Sequence, residues 1–189
     1  MDTVSFTQMR DGTRADYDLL AVEERQFIAR LPDRLLAALH ELDEGLDGYP
    51  ISRLHHSLQA ATRAERDGAD VDWVVAALVH DVGDGLAPEN HSQMAAAILR
   101  PYVREDVAWT VLMHGVFQQH YYGHHTGHDP DAREVYRSHA WFDRCERFCE
   151  QWDQASFDPT YPTESLEHFE PMLREVFSRP AFDPAVTSS

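Results

Sequence analysis

The stretch that decides the fold is HSLQAATRAERDGADVDWVVAALVHD, which runs from His56 to Asp81. Apolar residues recur at helical spacing in its first half, and Asp70 can cap a second helix whose segment VVAALV is apolar on all sides. Such a helix belongs at the centre of a domain, so the pair His80-Asp81 at its end is expected to be buried. Because burial of an unpaired carboxylate is costly, we expect Asp81 to face a cation.

Three later residues can join that pair in a metal site. His91, His114 and Asp153 each fall near an end or an inner face of a separate predicted helix, so the chain reads H…HD…H…H…D. Imidazole nitrogen and carboxylate oxygen together suit Fe, Mn, Zn or Mg, and an aspartate beside a histidine can bridge two ions. This order resembles that of the HD-domain proteins, and the resemblance implies that the metal ligands are His56, His80, Asp81, His91, His114 and Asp153.

The spacing of 23 residues between His56 and the His80-Asp81 pair, with the three later ligands, resembles HD-domain proteins that hold two metals. The resemblance covers about residues 50 to 155. Gln59 stands three residues after His56, and this makes the chain similar to the mixed-valent diiron oxygenases of that superfamily. That group contains the phosphonate-cleaving oxygenases and, as a more distant resemblance, myo-inositol oxygenase.

The resemblance implies a role for each of these residues. One iron would lie on His56, His80 and Asp153, the other on His91 and His114, with Asp81 bridging the two. Gln59 and Tyr49 would be catalytic residues, Tyr49 in the loop before the first ligand. The alternatives are a packing amide for Gln59 and an ordinary solvated turn for Tyr49. The implied cofactors are two Fe ions in the Fe(II)/Fe(III) state, with O2 as co-substrate.

Two activities can use such a pair of metals. The resemblance implies an oxygenase that cleaves a C–P or C–C bond of a small hydroxylated substrate, with a 1-hydroxy organophosphonate as the best candidate. The alternative is an HD phosphohydrolase, in which two divalent metals hold a small phosphate ester or nucleotide and activate water. Gln59 favours the oxygenase, so the prediction is an HD-domain diiron oxygenase, with the hydrolase second.

The sequence pattern specifies the metal ligands better than it specifies the residues that would bind an anionic substrate. Phosphonate-cleaving oxygenases carry a lysine one turn beyond the fifth ligand, where this chain has Gln118. The Gly and Pro content of residues 117 to 130 predicts a histidine-rich loop, which follows a short helix from Val107 to Met113 that stops at Gly115. We expect this loop to help line the pocket. The candidate substrate-binding residues are Gln118, His120, His124 and His125.

Composition limits the partners of the protein. The formal net charge is −17, and all 16 basic residues are arginine, so the sequence has no basic stripe for a nucleic acid. No segment resembles a membrane span, and Cys145 and Cys149 are expected to be buried free thiols. These features predict a cytoplasmic protein that acts on a small molecule, with neither nucleic acid nor membrane as partner. The sequence leaves the oligomeric state open.

The fold expected from these patterns is all-α. We predict an N-terminal arm over residues 1–14, a single HD-domain helical bundle over 15–178 with the metal site in its centre, and a C-terminal tail over 179–189. The periodic segments suggest about six to eight helices. The last central helix, from about Ala140 to Ala155, would carry Asp153 at its end.

Overall fold

The fold is given by a computed structural model that describes residues 2–44 and 46–188. This part of the chain contains nine α-helices and no β-strand, so the predicted all-α bundle is confirmed. The helices are α1 (Arg14–Ala29), α2 (Leu31–Glu41), α3 (Arg53–Arg66), α4 (Val71–Val79), α5 (His91–Leu99), α6 (Glu105–Thr126), α7 (Phe142–Arg147), α8 (Leu166–Phe177) and α9 (Pro184–Thr187). No helix in the described residues has the length and apolarity needed to cross a membrane.

Helices α3 and α4 form the centre of the bundle. The Ser52 hydroxyl accepts a hydrogen bond from the N–H of His55 at the start of α3, and the Asp70 carboxylate caps α4 through the N–H of Trp73. The whole segment VVAALV of α4 is buried, as its uniform apolarity predicts. The two helices pack side by side, and this brings His56 and the end of α4 together.

Helix α6 corrects two predictions. The predicted short helix from Val107 to Met113 and the predicted loop over residues 117–130 are wrong, because one 22-residue helix continues to Thr126. Gly115 does not end it. A Cβ at Gly115 would lie 2.9 Å from the Ser92 hydroxyl of α5, so this glycine allows two helices to pack closely. The helix ends at Gly127, whose φ of +80° is a left-handed conformation that glycine adopts without strain.

The last central segment is a composite of two helix types. The predicted helix over about 140–155 consists of α7 followed by a π-helix, Phe148–Asp153, in which the N–H of Gln154 donates to the carbonyl of Cys149. Cys145 and Cys149 are both buried and free, as predicted. Asp153 is the last residue of the π-helix and is buried beside α3.

The segments outside the predicted domain boundaries also make contacts. In the N-terminal arm, Ser5 donates to the carboxylate of Asp16, which forms a capping box with Thr13 at the start of α1. In the C-terminal tail, the guanidinium of Arg179 lies 2.6 Å from a carboxylate oxygen of the buried Asp72. The division into arm, domain and tail therefore stays a prediction.

Candidate metal centre

All six predicted ligands meet at the centre of the bundle. His56 comes from α3, the pair His80-Asp81 follows α4, His91 begins α5, His114 lies within α6, and Asp153 ends the π-helix. Nitrogen and oxygen atoms of these residues form three overlapping groups, each with atoms within 4.8 Å of one another. Five of the six residues are buried and His91 is partly exposed. The helices thus assemble one constellation from five separate parts of the chain.

The inner part of the centre consists of two histidines and a carboxylate. The Nε2 atoms of His56 and His80 are 3.1 Å apart, and Asp153 Oδ1 lies 3.3 Å from the first and 3.6 Å from the second. The other oxygen of Asp153, Oδ2, is buried and has no hydrogen-bond partner among the described residues. A buried carboxylate oxygen without a donor is costly, and a cation at this point would satisfy it.

Asp81 lies between two histidine pairs and turns one oxygen toward each. Its Oδ2 atom is 3.4 Å from His56 Nε2 and 3.2 Å from His80 Nε2. Its Oδ1 atom is 3.4 Å from His91 Nε2 and 3.3 Å from His114 Nε2. A carboxylate arranged in this way can bridge two cations, each of which would also contact a pair of imidazoles.

The orientation of the buried imidazoles suits a metal. The Nδ1 atoms of His56, His80 and His114 lie 2.9, 2.8 and 2.7 Å from the backbone carbonyl oxygens of Ser156, Ala77 and Val111, respectively. A carbonyl oxygen can only accept, so each Nδ1 carries the proton and the Nε2 atoms turn toward the carboxylates. Histidine ligands of metals are held in this way by an outer hydrogen bond. The residues present therefore fit a bound metal.

The charges at the centre are strongly coupled. Burial by itself lowers the pKa of His80, but the carboxylates of Asp81 and Asp153 raise it well above the ordinary value for histidine. Burial by itself raises the pKa of Asp81, yet the charges of His80 and Arg53 hold it well below the usual range. Burial by itself also raises the pKa of Asp153, but the charges and hydrogen bonds of His80 and His56 lower it. The carboxylates thus stay ionised and require positive charge beside them, which a proton or a metal can supply.

A cavity of about 330 Å³ opens onto this centre, and we call it the metal cavity. Tyr49 lies at its edge and its ring stacks on Phe157, which in turn stacks on the ring of His56 with 4.4 Å between centroids. Burial raises the pKa of Tyr121 to about 12, so its hydroxyl stays protonated at neutral pH. The residues that line the cavity are Tyr49, Arg53, His56, Asp81, His91, His114, Gly115, Gln118, Tyr121, Tyr122, Asp153, Gln154 and Phe157.

Arg53 lies beside the metal centre, although the sequence pattern did not single it out. Its side chain is only 12% exposed, and its guanidinium contacts the carboxylates of Asp81 and Asp84, the second at 2.8 Å. Its place on α3, three residues before His56, puts it on the same helix face as that histidine.

Gln59 lies outside the metal cavity. Its side-chain amide is fully buried and binds the backbone of Asp158, with Nε2 donating to the carbonyl at 2.5 Å and Oε1 accepting from the N–H at 3.3 Å. This pair of hydrogen bonds holds the segment that carries Phe157 against His56. The geometry corresponds to the packing amide that was the alternative for Gln59.

The structure separates the four predicted substrate-binding residues. Gln118 lines the metal cavity one turn after His114, whereas His120, His124 and His125 are exposed and not part of its lining. The reason is that this segment is helical, and residues four, seven and eight positions after His114 share its face. Those residues are Gln118, Tyr121 and Tyr122. Helical periodicity carried past Gly115 would have identified the two tyrosines.

Comparison with known proteins agrees with this geometry. The family model of the HD domain matches residues 53–150, a segment that contains five of the six candidate ligands and ends just before Asp153. The search of curated proteins finds no match. HD domains bind divalent metals, and the buried histidine and aspartate groups of this chain can hold such ions. Since the match covers more than half of the sequence, the chain belongs to the HD domain family.

Proposed function

We propose that this metal-dependent HD enzyme is a diiron oxygenase. The observation that carries the proposal is the set formed by His91, His114 and Asp81, two histidines and one carboxylate at the wall of the metal cavity. A two-histidine, one-carboxylate set with open positions is typical of non-heme iron oxygenases. Asp81 also faces the inner set, so the same carboxylate would bridge the two ions.

The ligands divide between two sites in this proposal. His56, His80 and Asp153 would hold one iron, His91 and His114 the other, and Asp81 both. When bound, the two irons supply the redox chemistry for a reaction with O2 and a pair of charges that chelate a hydroxylated substrate. The outer hydrogen bonds from Nδ1 of His56, His80 and His114 keep the imidazoles aimed at the ions.

The other lining residues bind and orient the substrate. Arg53 offers a cation beside the metal site; its Nε and Nη2 donate to Asp84 and Asp81, so Nη1 is the donor that a phosphonate oxygen would meet. The Tyr121 hydroxyl remains a hydrogen-bond donor at neutral pH because burial keeps its pKa at about 12. The stacked rings of Tyr49 and Phe157 cover His56 and exclude water from that side. These features support an anionic, hydroxylated substrate such as a 1-hydroxy organophosphonate.

A phosphohydrolase is the second candidate, and Arg53 is the observation that favours it. The same guanidinium beside two bridged cations would hold a phosphate ester as well as a phosphonate. In that case both ions would be redox-inert or divalent, and they would activate water for attack at phosphorus. The buried position of Gln59 removes its support for the oxygenase, so the distinction depends on the metal and on O2.

The deciding experiment measures metal content, oxygen uptake and phosphate release on the same preparation. We expect about two irons per chain and, after partial reduction, a paramagnetic signal of a mixed-valent pair. A panel of 1-hydroxyphosphonates, inositols, hydroxylated quaternary amines and phosphate esters should show oxygen uptake with a hydroxyphosphonate. Uptake with an inositol or an amine alone would contradict the phosphonate. Phosphate release from an ester without oxygen consumption would contradict the oxygenase.

Two variants of α6 make the result specific to the site. His114→Ala should abolish oxygen uptake, because it removes one histidine from the set that faces the cavity. His125→Ala is the matched control, since this histidine is exposed on the same helix and should leave the rate unchanged. Equal loss in both variants would return His125 to the substrate site and contradict the separation described above.

A further inference from the structure

A second cavity adjoins the metal cavity. It has a volume of about 530 Å³ and lies between α2, the loop after α2 and the turn that follows the His80-Asp81 pair. Four residues belong to the walls of both cavities, so the two spaces are neighbours across a shared wall. These residues are Tyr49, Arg53, His91 and Tyr122. We call this space the second chamber.

Six of the thirteen described residues that line the second chamber are aliphatic. Leu42 and Val82 are buried in its wall, whereas Leu46 and Leu86 are 67% and 79% exposed. Two exposed leucines on separate loops of one cavity provide apolar surface that an apolar ligand would remove from water. The aliphatic lining consists of Ala38, Leu42, Leu46, Val82, Leu86 and Pro88.

The charged groups of the second chamber disfavour a ligand with a negatively charged end. The carboxylate of Asp84 is paired with the guanidinium of Arg53 at 2.8 Å and lies 3.2 Å from Nδ1 of His91. Glu41 is the other acidic residue of the lining and is exposed to solvent. A ligand group that ends in a negative charge would meet this carboxylate. An uncharged chain brings no charge beside Glu41 and can contact the aliphatic part of the wall.

We propose that the substrate carries an uncharged aliphatic chain, which occupies the second chamber while its polar head binds in the metal cavity. The proposal rests on the metal centre of the proposed function, and it holds for either chemistry because it concerns the part of the substrate that does not react. The occupant is specified by position: because Tyr49, Arg53, His91 and Tyr122 line both cavities, a chain in the second chamber lies beside a head group held at the metals.

The test uses straight-chain hydroxamic acids, whose head group chelates iron or other divalent metals and which need no turnover. The metal-loaded protein is titrated calorimetrically with the series from acetohydroxamate to octanohydroxamate. We expect the Kd to fall about fourfold for each added methylene over the first several carbons, which corresponds to about 0.8 kcal/mol per methylene. The same Kd along the whole series would overturn the second chamber as a binding site while leaving the metal centre supported.

Two neighbouring alanines of α2 provide a matched pair of variants. Ala38 lines the second chamber, so Ala38→Phe should fill it and reduce the affinity for octanohydroxamate at least tenfold, with acetohydroxamate unchanged. Ala37 is exposed on the same helix, and Ala37→Phe should leave both affinities as they are. Equal effects of the two variants on octanohydroxamate would contradict the proposal.

A variant at an exposed residue tests the second chamber even if Ala38→Phe does not fold. Leu86 is largely exposed, so Leu86→Ser should fold normally and still weaken octanohydroxamate about threefold without affecting acetohydroxamate. Unchanged octanohydroxamate affinity in both Ala38→Phe and Leu86→Ser would overturn the proposal. A third outcome separates the two sites: acetohydroxamate does not bind, octanohydroxamate binds, and Ala38→Phe abolishes the binding of octanohydroxamate. This outcome would contradict the metal centre and support the second chamber.

Discussion

At the scale of single residues, the centre depends on which nitrogen of each histidine carries the proton. Backbone carbonyls accept from the Nδ1 atoms of His56, His80 and His114, and this leaves the Nε2 atoms pointing at the carboxylates of Asp81 and Asp153. A cluster of lone pairs and negative charges is unstable unless a cation joins it. The tautomers therefore leave the Nε2 lone pairs beside the carboxylates, where a metal can bind. Residue identity alone does not show this arrangement.

The first prediction concerns Asp153. Asp153→Ala should lower the metal content from about two ions per chain to about one, because the inner site keeps only His56, His80 and the shared Asp81. The measurement is elemental analysis after dialysis, together with circular dichroism to establish that the fold persists. Glu150→Ala is the control, since it removes an exposed carboxylate from the same π-helix. Full metal content in Asp153→Ala would show that this carboxylate is not a ligand.

At the scale of elements, two local irregularities bring ligands into the centre. At the end of the π-helix Phe148–Asp153, the N–H of Gln154 donates to the carbonyl of Cys149, five residues earlier, and Trp152 and Asp153 are both buried. Such turns are frequent at functional sites because they change the direction of a side chain within a helix. The turn after α4 does the same for α5, since it packs Gly83 against the backbone of His91.

The second prediction follows from that contact. A Cβ at Gly83 would lie 3.0 Å from the carbonyl oxygen of His91 and 3.1 Å from its Cα, so Gly83→Ala must displace the start of α5. We expect the metal bound by His91 and His114 to be held on the order of tenfold more weakly, and the protein to lose about 1–3 kcal/mol of stability. Competition with a chelator and thermal unfolding measure the two effects.

The matched control for this variant lies two residues further along the same turn. A Cβ at Gly85 would meet no described atom within 4 Å, so Gly85→Ala should leave metal affinity unchanged. Equal weakening in both variants would indicate that flexibility of the turn, rather than its contact with His91, controls the second site.

At the scale of the whole molecule, protons and metals compete for the histidine nitrogens beside Asp81 and Asp153, and either one stabilises the folded protein. In the metal-free protein the pKa values of His56 and His80 are raised above 6.5, while those of Asp81 and Asp153 are lowered. Protonated His56 and His80 therefore stabilise the folded protein below about pH 6.5, and this contribution disappears as the pH rises through their folded-state pKa values. The carboxylates contribute stability above their ordinary pKa, and it disappears as the pH falls through the lowered values.

The third prediction is that metal stabilises the protein more at higher pH. Metal binding requires the deprotonated imidazoles, so the bound ions and the protons act in opposite directions. The difference in Tm between metal-loaded and chelator-treated protein should increase from about pH 6 to about pH 8. Differential scanning fluorimetry at several pH values measures it. A difference that is constant or that decreases over this range would contradict a centre built on His56 and His80.

The sequence by itself determined the all-α class and the central position of α4, and its resemblance to HD-domain proteins identified the six residues that meet at the centre. Its information was local and periodic: an apolar segment must be buried, and a histidine-aspartate pair at its end is then buried as well. The predicted extent of α6 was wrong because glycines were interpreted as stops. Gly115 and Gly123 lie inside a helix, where packing against neighbouring segments outweighs their low helix propensity.

Only the tertiary structure decided which side chains share the metal cavity. Arg53 and Gln59 lie on the same helix, yet the first contacts Asp81 while the second binds the backbone of Asp158, almost one hundred residues away in sequence. No local pattern distinguishes these two outcomes, because each depends on a segment brought close by folding. The same is true of the second chamber, whose walls come from α2, two loops and single residues of α3, α5 and α6 that are adjacent only when the bundle is complete.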